Sequence, residues 1–405
     1  MNIENKYIAV IGAGESGVGA ALLAQKYGAQ VFVSDFGSIK ENLRSELSEN
    51  SIEFEEKGHS TDRILRSDLV IKSPGIPNEA PIIQSIKNKG IWMLSEIEFA
   101  SRFSNAKTIC ITGSNGKTTT TMLVHHILDK AGYDVGFGGN IGKSFARQLL
   151  TTDCEYYVLE LSSFQLDDLV DFRADIAILL NITPDHLDRH KNISNYIAIK
   201  NKLNDSSEIS IANENLKKVI SHADYFFSSE GTLRKQNLSA IKMICSSLGY
   251  DFSEDEILTC FSQLPHRMET FHYLDENISF IDDSKATNVA SSLEGLKSID
   301  QSRSLIVICG GRSKNQDFEE YANYLNQYAT NIFYFGESSI ALKKLLDPSK
   351  SQAVKDLKKA VNSALKLLKN NSVVILSPAC SSLDMFKSFS ERGKKFKDLV
   401  LNAKI

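Results

Sequence analysis

No apolar run in this 405-residue chain approaches the roughly 18 residues needed to cross a bilayer, so no membrane span is expected. The opening residues, MNIENKYIAVIGAG, lack the basic segment and the cleavage site of a secretory signal; they carry an acid and pass straight into a strand-like run. Export is not expected, and a cytoplasmic location is. Cysteine is sparse: Cys110, Cys154, Cys245, Cys260, Cys309 and Cys380 are scattered, with no close pair at metal-ligand spacing. Most lie in or beside apolar runs, where a reduced thiol packs as a small hydrophobe, so a zinc site is not expected. A large excess of charge is also missing. The formal net charge of −4 argues against a general nucleic-acid binder, which needs a basic surface to neutralise phosphates. Repeats of solenoid period and low-complexity linkers are absent as well.

What is present is the composition of a soluble globular protein, 42% hydrophobic and 24% charged, long enough for two or three domains with a core each. Charge is unevenly placed. From Ala341 to Ile405 there are 13 Lys and one Arg against four Asp and one Glu, a balance of +9 that leaves −13 for the rest. Solvated helix faces in DLKKAVNSALKLLKN and ERGKKFKDLV account for this, and a surface facing anionic substrates is the sharper alternative. Strand-like runs ending in Gly, Ser, Asn or Asp, each followed by helix-like periodicity, recur throughout: YIAVIGAG, VFVSD, LVIKSPG, TICITGSNG, YYVLELSS, IAILLNITPD, ISFIDDS, LIVICGG, IFYFGE and VVILSPA. This alternation predicts an α/β fold of parallel, doubly wound sheets, with ligands outside the carboxyl ends of the strands. A new β-α series restarts near Ser104 and again near Pro265, which places the domain boundaries there.

The loop Gly113-Ser114-Asn115-Gly116-Lys117-Thr118 is a shortened relative of the phosphate loop, because the position five before Gly116 is Ile111 rather than glycine. A turn after a strand aims backbone N–H groups and a helix start at phosphate oxygens; Lys117 adds a point charge and Thr118 can reach Mg²⁺. A triphosphate site needs metal ligands on neighbouring strand ends. Glu160 ends the run YYVLE, and Asp185 and His186 follow the run IAILLN. Alone, such a carboxylate reads as a cap and such a histidine as a structural group; together, in successive β-α units, they read as ligands. The N-terminal GAGESG, with Gly12, Gly14, Gly17 and then Asp35, is a weak dinucleotide fingerprint that competes for the cofactor role. Arg267, Lys285 and Lys314 are cations in short turns that suit oxyanions. Cys380 lacks an evident base in its loop and reads as a packed thiol.

Taken in order, SPGIP, TGSNGKTT, GGNIG, LELSSFQL, NITPDHLDRH, LPHRME, DDSKATN and SPACSSLDMFKSFSERG resemble the Mur ligase family of peptidoglycan synthesis over nearly the whole chain. The last two motifs are most specific to the glutamate-adding branch. The resemblance implies three domains: a Rossmann-like UDP-sugar domain at 1–104, a central ATP-binding domain at 105–264 and a Rossmann-like amino-acid domain at 265–405. It implies an ATP-dependent ligase that phosphorylates the carboxylate of UDP-N-acetylmuramoyl-L-alanine and joins D-glutamate to it, as a bacterial cytoplasmic monomer. Carried over by motif, Lys117, His186 and Lys200 are catalytic. Gly113, Ser114, Asn115, Gly116, Lys117, Thr118, Thr119, Asn237, Arg267 and Asp283 contact ATP. Thr118, Glu160, His186 and Lys200, the last as a carbamate, serve the Mg²⁺ ions. Gly14, Ser16, Asp35, Gly75 and Asn140 surround the UDP-sugar, and Thr287, Lys314, Ser382 and Phe389 the D-glutamate. As a bare residue, Lys200 reads as a helix-surface lysine.

The chain departs from the family pattern in four places. Phe36 and Gly37 stand where polar or basic uridine contacts are frequent, and the segment from Asn215 to Gly231 is short. Leu233-Arg234 replaces a His-Asn pair before Asn237, and GGRSKNQDF lacks the usual small residues around Lys314. Three alternatives stay open: a superfamily member with a different acceptor, a dinucleotide-dependent oxidoreductase resting on GAGESG, and a non-catalytic nucleotide-binding protein.

Overall fold

The computed structural model describes residues 1–151, 154–250, 252, 265–272, 277–313 and 316–403. Their strands form three sheets with helices between them. The first holds β1 (Tyr7–Ile11), β2 (Gln30–Ser34), β3 (Glu53–Glu55), β4 (Leu69–Lys72) and β5 (Met93–Ser95) in the order β3-β2-β1-β4-β5, all parallel. The second holds β6 (Lys107–Thr112), β7 (Val135–Gly139), β8 (Tyr156–Glu160), β9 (Ala174–Leu179), β10 (Ser207–Asn213) and β11 (Tyr225–Phe227) in the order β11-β10-β9-β6-β8-β7, again parallel. The third holds β12 (Glu269–His272), β13 (Ser279–Asp282), β14 (Ser304–Gly310), β15 (Asn331–Phe335), β16 (Ser351–Ala353) and β17 (Ser372–Leu376), ordered β12-β13-β17-β14-β15-β16.

All ten strand-like runs of the sequence are strands. The interior strands are apolar because helices cover both faces of a parallel sheet; β4, β13 and β17 are buried along their whole length. The strands that the pattern did not predict are the six sheet edges (β3, β5, β7, β11, β12, β16) and β10. An edge strand is short and half-wet, so it carries no apolar run. One expectation is corrected: the third sheet is mixed, since β12 runs antiparallel to β13, with Glu269 opposite Asp282.

The chain divides into two compact units, Met1–Leu258 and Thr259–Ile405. In the first unit, one apolar core runs through residues of both sheets, among them Ile8, Val10, Cys110 and Leu159. The helices Glu15–Lys26 and Phe145–Thr151 close tightly on each other: a Cβ on Gly19 would lie 2.3 Å from Ser144 Oγ. Arg147 donates to Glu15 at 2.7 Å and also to Glu46. Lys72 at the end of β4 is 1% exposed and pairs with Asp168 at 2.5 Å. No helix among the described residues is long and apolar enough to cross a membrane.

Candidate active site

In the second sheet the chain leaves β6 for β7 on one side and later returns through β9 on the other. The carboxyl ends of β6, β8 and β9 therefore flank the crevice where a doubly wound sheet binds its ligand. The loop after β6 turns on Gly113 and Gly116, at φ +150° and +84°. Gly116 is the N-cap of the helix Lys117–Lys130 and no side chain caps that end, which leaves its first N–H groups facing the crevice. The loop is pinned from β9. Ser114 N–H donates to Asn181 O at 2.9 Å and Asn115 N–H to Asn181 Oδ1 at 2.8 Å, while Ser114 Oγ donates to Thr183 O at 2.8 Å. Lys117 Nζ folds over its own loop, donating to Gly113 O at 2.7 Å and Ser114 O at 2.9 Å. Thr118 and Thr119 are buried behind it. Asn237, on the helix Leu233–Ser247, closes against the turn: a Cβ on Gly116 would lie 2.6 Å from Asn237 Oδ1. The side chains of Leu233 and Arg234 lie outside the described residues.

Glu160 ends β8, is 2% exposed, and accepts from Asn140 Nδ2 at 2.8 Å through Oε1. His186 sits after β9 at φ +52°, its Nε2 3.5 Å from Asp185 Oδ2 and its ring edge-on to Phe164 at 5.0 Å. Lys200 is not a surface lysine. The helix Ile193–Asp205 turns it inward, 1% exposed, where Nζ donates to Thr112 Oγ1 at 3.2 Å and Gly113 O at 3.0 Å. Burial, and then the nearby Lys117 charge, hold its ammonium well below the usual lysine range despite Asp185 and Glu160. The structure thus gathers Lys117, Thr118, Glu160, Asp185, His186 and Lys200 around one loop. Tyr196, which motif reading passed over, joins them: its hydroxyl lies 3.1 Å from Ser114 Oγ and its ring 4.9 Å from Lys200 Nζ. Its signal was its place in NYIAIK, four residues before Lys200 and so on the same helix face.

At the first sheet's own switch point, between β1 and β4, Gly12 (φ +93°) lies against the loop after β4 that carries Gly75, and Ser73 Oγ donates to Gly12 O at 3.0 Å. Gly14 caps the helix Glu15–Lys26, whose first turn carries Ser16, and both border this crevice. Asp35 shapes it, accepting from Ala13 N–H at 2.6 Å and Gly37 N–H at 2.7 Å; Phe36 beside it is 75% exposed. Two further contacts tie the Gly75 loop to the helical segments that follow β8 and β9, Asn78 Nδ2 to Asp168 Oδ1 at 3.2 Å and Arg189 Nη2 to Ile76 O at 3.0 Å. The sequence held no signal for them.

In the second unit Asp283 is buried, and its carboxyl is pushed up to about 8 by burial against the opposing Met268 N–H and Arg267 charge. Arg267 and Asp283 therefore lie within electrostatic reach of each other. Arg392, fully buried, ties two motif loops together: it donates to Ser284 Oγ at 3.0 Å, Ser284 O at 2.8 Å and Cys380 O at 3.1 Å. Ser284 Oγ in turn donates to Phe389 O at 2.8 Å. The loop after β14 is paired with the Ser382 loop through Arg312 and Ser381. Lys285 Nζ lies 4.1 Å over the Phe389 ring. Thr287 and Ser382 thus stand on loops, and Phe389 at a helix start, all joined at one end of the sheet; Lys314 lies outside the described residues. Cys380 is fully buried, with its thiol pushed up to about 11 by burial, as a packed thiol should be.

A glycine turn and lysine at a helix start, with a carboxylate and an imidazole on neighbouring ends of a parallel sheet, define an α/β protein of the phosphate-loop class. Family models divide it further: the MurD N-terminal domain matches residues 7–82, the Mur ligase middle domain 111–265, and the Mur ligase glutamate ligase domain 266–380. A UDP-N-acetylmuramoylalanine–D-glutamate ligase from Bacteroides fragilis is 40% identical over 443 aligned positions, covering 98% of this chain and 99% of its own. One of the same name from Porphyromonas gingivalis is 38% identical over 449 positions, covering 98% of each. The MurF ligase from Thermotoga maritima in complex with ADP shares the fold, with a TM-score of 0.63 at 15% identity over 98% of this chain and 95% of that one. The chain belongs to the Mur ligase family.

Proposed function

We infer that the chain is an ATP-dependent ligase that adds D-glutamate to UDP-N-acetylmuramoyl-L-alanine, forming ADP and phosphate. The observation that carries this reading is the crevice holding the Gly113–Thr119 loop, Glu160, His186 and the buried Lys200, in a chain matched end to end by relatives of that name. A carboxylate is a poor electrophile. Transfer of the γ-phosphoryl group makes it an acyl phosphate with a good leaving group, and the amine of D-glutamate displaces phosphate. Gly113, Ser114, Asn115, Gly116, Thr118 and Thr119 form the phosphate cradle: Gly116, Thr118 and Thr119 offer N–H and hydroxyl donors, Ser114 and Asn115 hold the loop in shape through Asn181 and Thr183, and Lys117 swings from its loop carbonyls to the transferring oxygens. Asn237 is assigned to ATP beside this loop, and Arg267 and Asp283, in the second unit, are assigned as ATP contacts by their motifs.

The Thr118 hydroxyl and Glu160 carboxylate are hard oxygen donors of the kind Mg²⁺ takes, and Asn140 holds Glu160 in place. His186 borders the same position. Mg²⁺ bound there supplies charge neutralisation for the phosphoryl oxygens. Lys200, whose burial disfavours the ammonium form, would as its free amine add CO₂ with release of a proton, which converts it into a carbamate, a further anionic oxygen donor. Gly14, Ser16, Asp35, Gly75 and Asn140 form the UDP-sugar side. Thr287, Lys314, Ser382 and Phe389 form the acceptor side. Division of labour follows the three sheets, with functional boundaries at 1–104, 105–264 and 265–405, in a cytoplasmic monomer. The test is one assay: ATP, UDP-N-acetylmuramoyl-L-alanine and a panel of amino acids, following phosphate release. Release with D-glutamate alone is expected; release with another amino acid instead makes this a family member with a different acceptor.

A further inference from the structure

Arg267 is flanked by two non-glycine residues in the left-handed region, His266 at φ +60° and Met268 at φ +47°. Such backbone is unfavourable for an L residue and persists only where its surroundings over-determine it. Here the surroundings are specific. His266 Nδ1 lies 2.6 Å from Asp282 Oδ2, and the ring is wedged against the helix Phe389–Leu401, where a Cβ on Gly393 would come within 2.3 Å of Nδ1. The His266 N–H donates to Glu269 Oε2 at 2.9 Å, and the Met268 N–H to Asp283 Oδ1 at 3.3 Å. Glu269 is itself gripped by Lys397, whose Nζ donates to its two oxygens at 2.8 and 3.0 Å.

The arrangement explains an otherwise unfavourable pairing. Glu269 and Asp282 stand opposite each other on β12 and β13, where like charges repel. Both carboxylates converge on His266, one on its ring and one on its N–H, and Lys397 supplies the compensating charge. His266, Glu269 and Asp282 also place three possible metal-donor atoms within 4.8 Å of one another. Lys397 already occupies Glu269, so the cluster reads as a clamp and not as a cation site.

We propose that Asp282, Glu269 and Lys397 are positioning residues that hold the strained turn His266-Arg267-Met268 and thereby present the Arg267 guanidinium to the nucleotide phosphates. The proposal rests on the ligase reading only in taking Arg267 as a nucleotide contact. A guanidinium on a relaxed turn would sample many directions, and each phosphate hydrogen bond would then carry an ordering cost. The preset turn removes that cost before ATP arrives.

The test uses Lys397→Met and Glu269→Gln, both at partly exposed positions that leave the core intact. Each should raise the KM for ATP roughly three- to tenfold while the KM for D-glutamate and the Tm stay near wild type. The double variant should be no worse than Glu269→Gln alone, because both act through one clamp, and Lys397→Arg should restore the KM to within about twofold. Calorimetric titration with a non-hydrolysable ATP analogue reads the same loss without any acceptor. Wild-type analogue affinity in both variants overturns the proposal, as does an equal weakening for all substrates with a lowered Tm. If wild type binds the analogue but turns nothing over, the ligase reading fails and the clamp stands or falls on the titration.

Discussion

Replacing Lys200 with methionine separates a structural role from a chemical one. The two groups that its Nζ contacts both keep another hydrogen bond: Thr112 Oγ1 donates to Leu161 O at 2.8 Å, and Gly113 O accepts from Lys117 Nζ at 2.7 Å. No buried polar group is stranded by the change. The loss is two neutral hydrogen bonds, about 0.5–1.5 kcal/mol each. Against it stands the desolvation cost of burying this amine beside the Lys117 charge, which methionine, of similar length and apolar, does not carry. The terms offset to within about 2 kcal/mol, so the Tm should move by no more than about 5–8 °C. Activity should fall by at least about 100-fold, because an anionic oxygen donor beside the transferring phosphoryl group contributes roughly 3 kcal/mol or more to the transition state. Phosphate release and differential scanning calorimetry on the same preparation decide it. A Lys200→Met enzyme within tenfold of wild type would refute the chemical role. An inactive variant unfolded by more than about 4 kcal/mol would show that the amine serves packing instead. Removing CO₂ from the wild-type enzyme should reproduce the loss, and bicarbonate should reverse it.

Three other outcomes follow from the same geometry. Lys117→Ala should keep its far-UV spectrum and Tm while losing at least about 100-fold in turnover, since its ammonium lies over loop carbonyls and not in the core. Gly116→Ala forces a Cβ into φ +84° and to 2.6 Å from Asn237 Oδ1, so both a Tm lowered by several degrees and a KM for ATP raised at least about tenfold are expected; a wild-type KM would separate Asn237 from the nucleotide. Glu96 is buried, accepts from Ala146 N–H at 2.7 Å, and its carboxyl is pushed by burial up to about 7. The native state then holds a proton that the unfolded chain releases near pH 4.5, so this group's contribution to stability falls as pH rises from about 4.5 to 7, by on the order of 3 kcal/mol. Subtracting the urea-denaturation pH profile of Glu96→Gln from that of wild type should expose this slope, and parallel profiles would remove it.

The sequence by itself determined the interior of each sheet and the chemistry at its rim. An apolar run flanked by glycine or serine leaves few alternatives to a buried parallel strand, so β6, β8 and β9 were legible, and with them the places of Lys117, Glu160 and His186. The sheet edges were not legible, because a half-wet strand of three residues such as β3 or β16 lacks any run to read. The direction of β12 was equally hidden, for its antiparallel register is decided by pairing with β13 and not by its own four residues. Lys200 marks the limit most sharply. In YIAIK it looks like any exposed helical lysine, and only the packing of its helix against β9 and β6 turns it into the crevice, where burial lowers its pKa. The same holds for Lys72 with Asp168, 96 residues apart, and for the His266–Glu269–Lys397 clamp. A charged residue's role depends on which partner reaches it across the fold, and that partner is chosen by tertiary packing, which local sequence pattern does not encode.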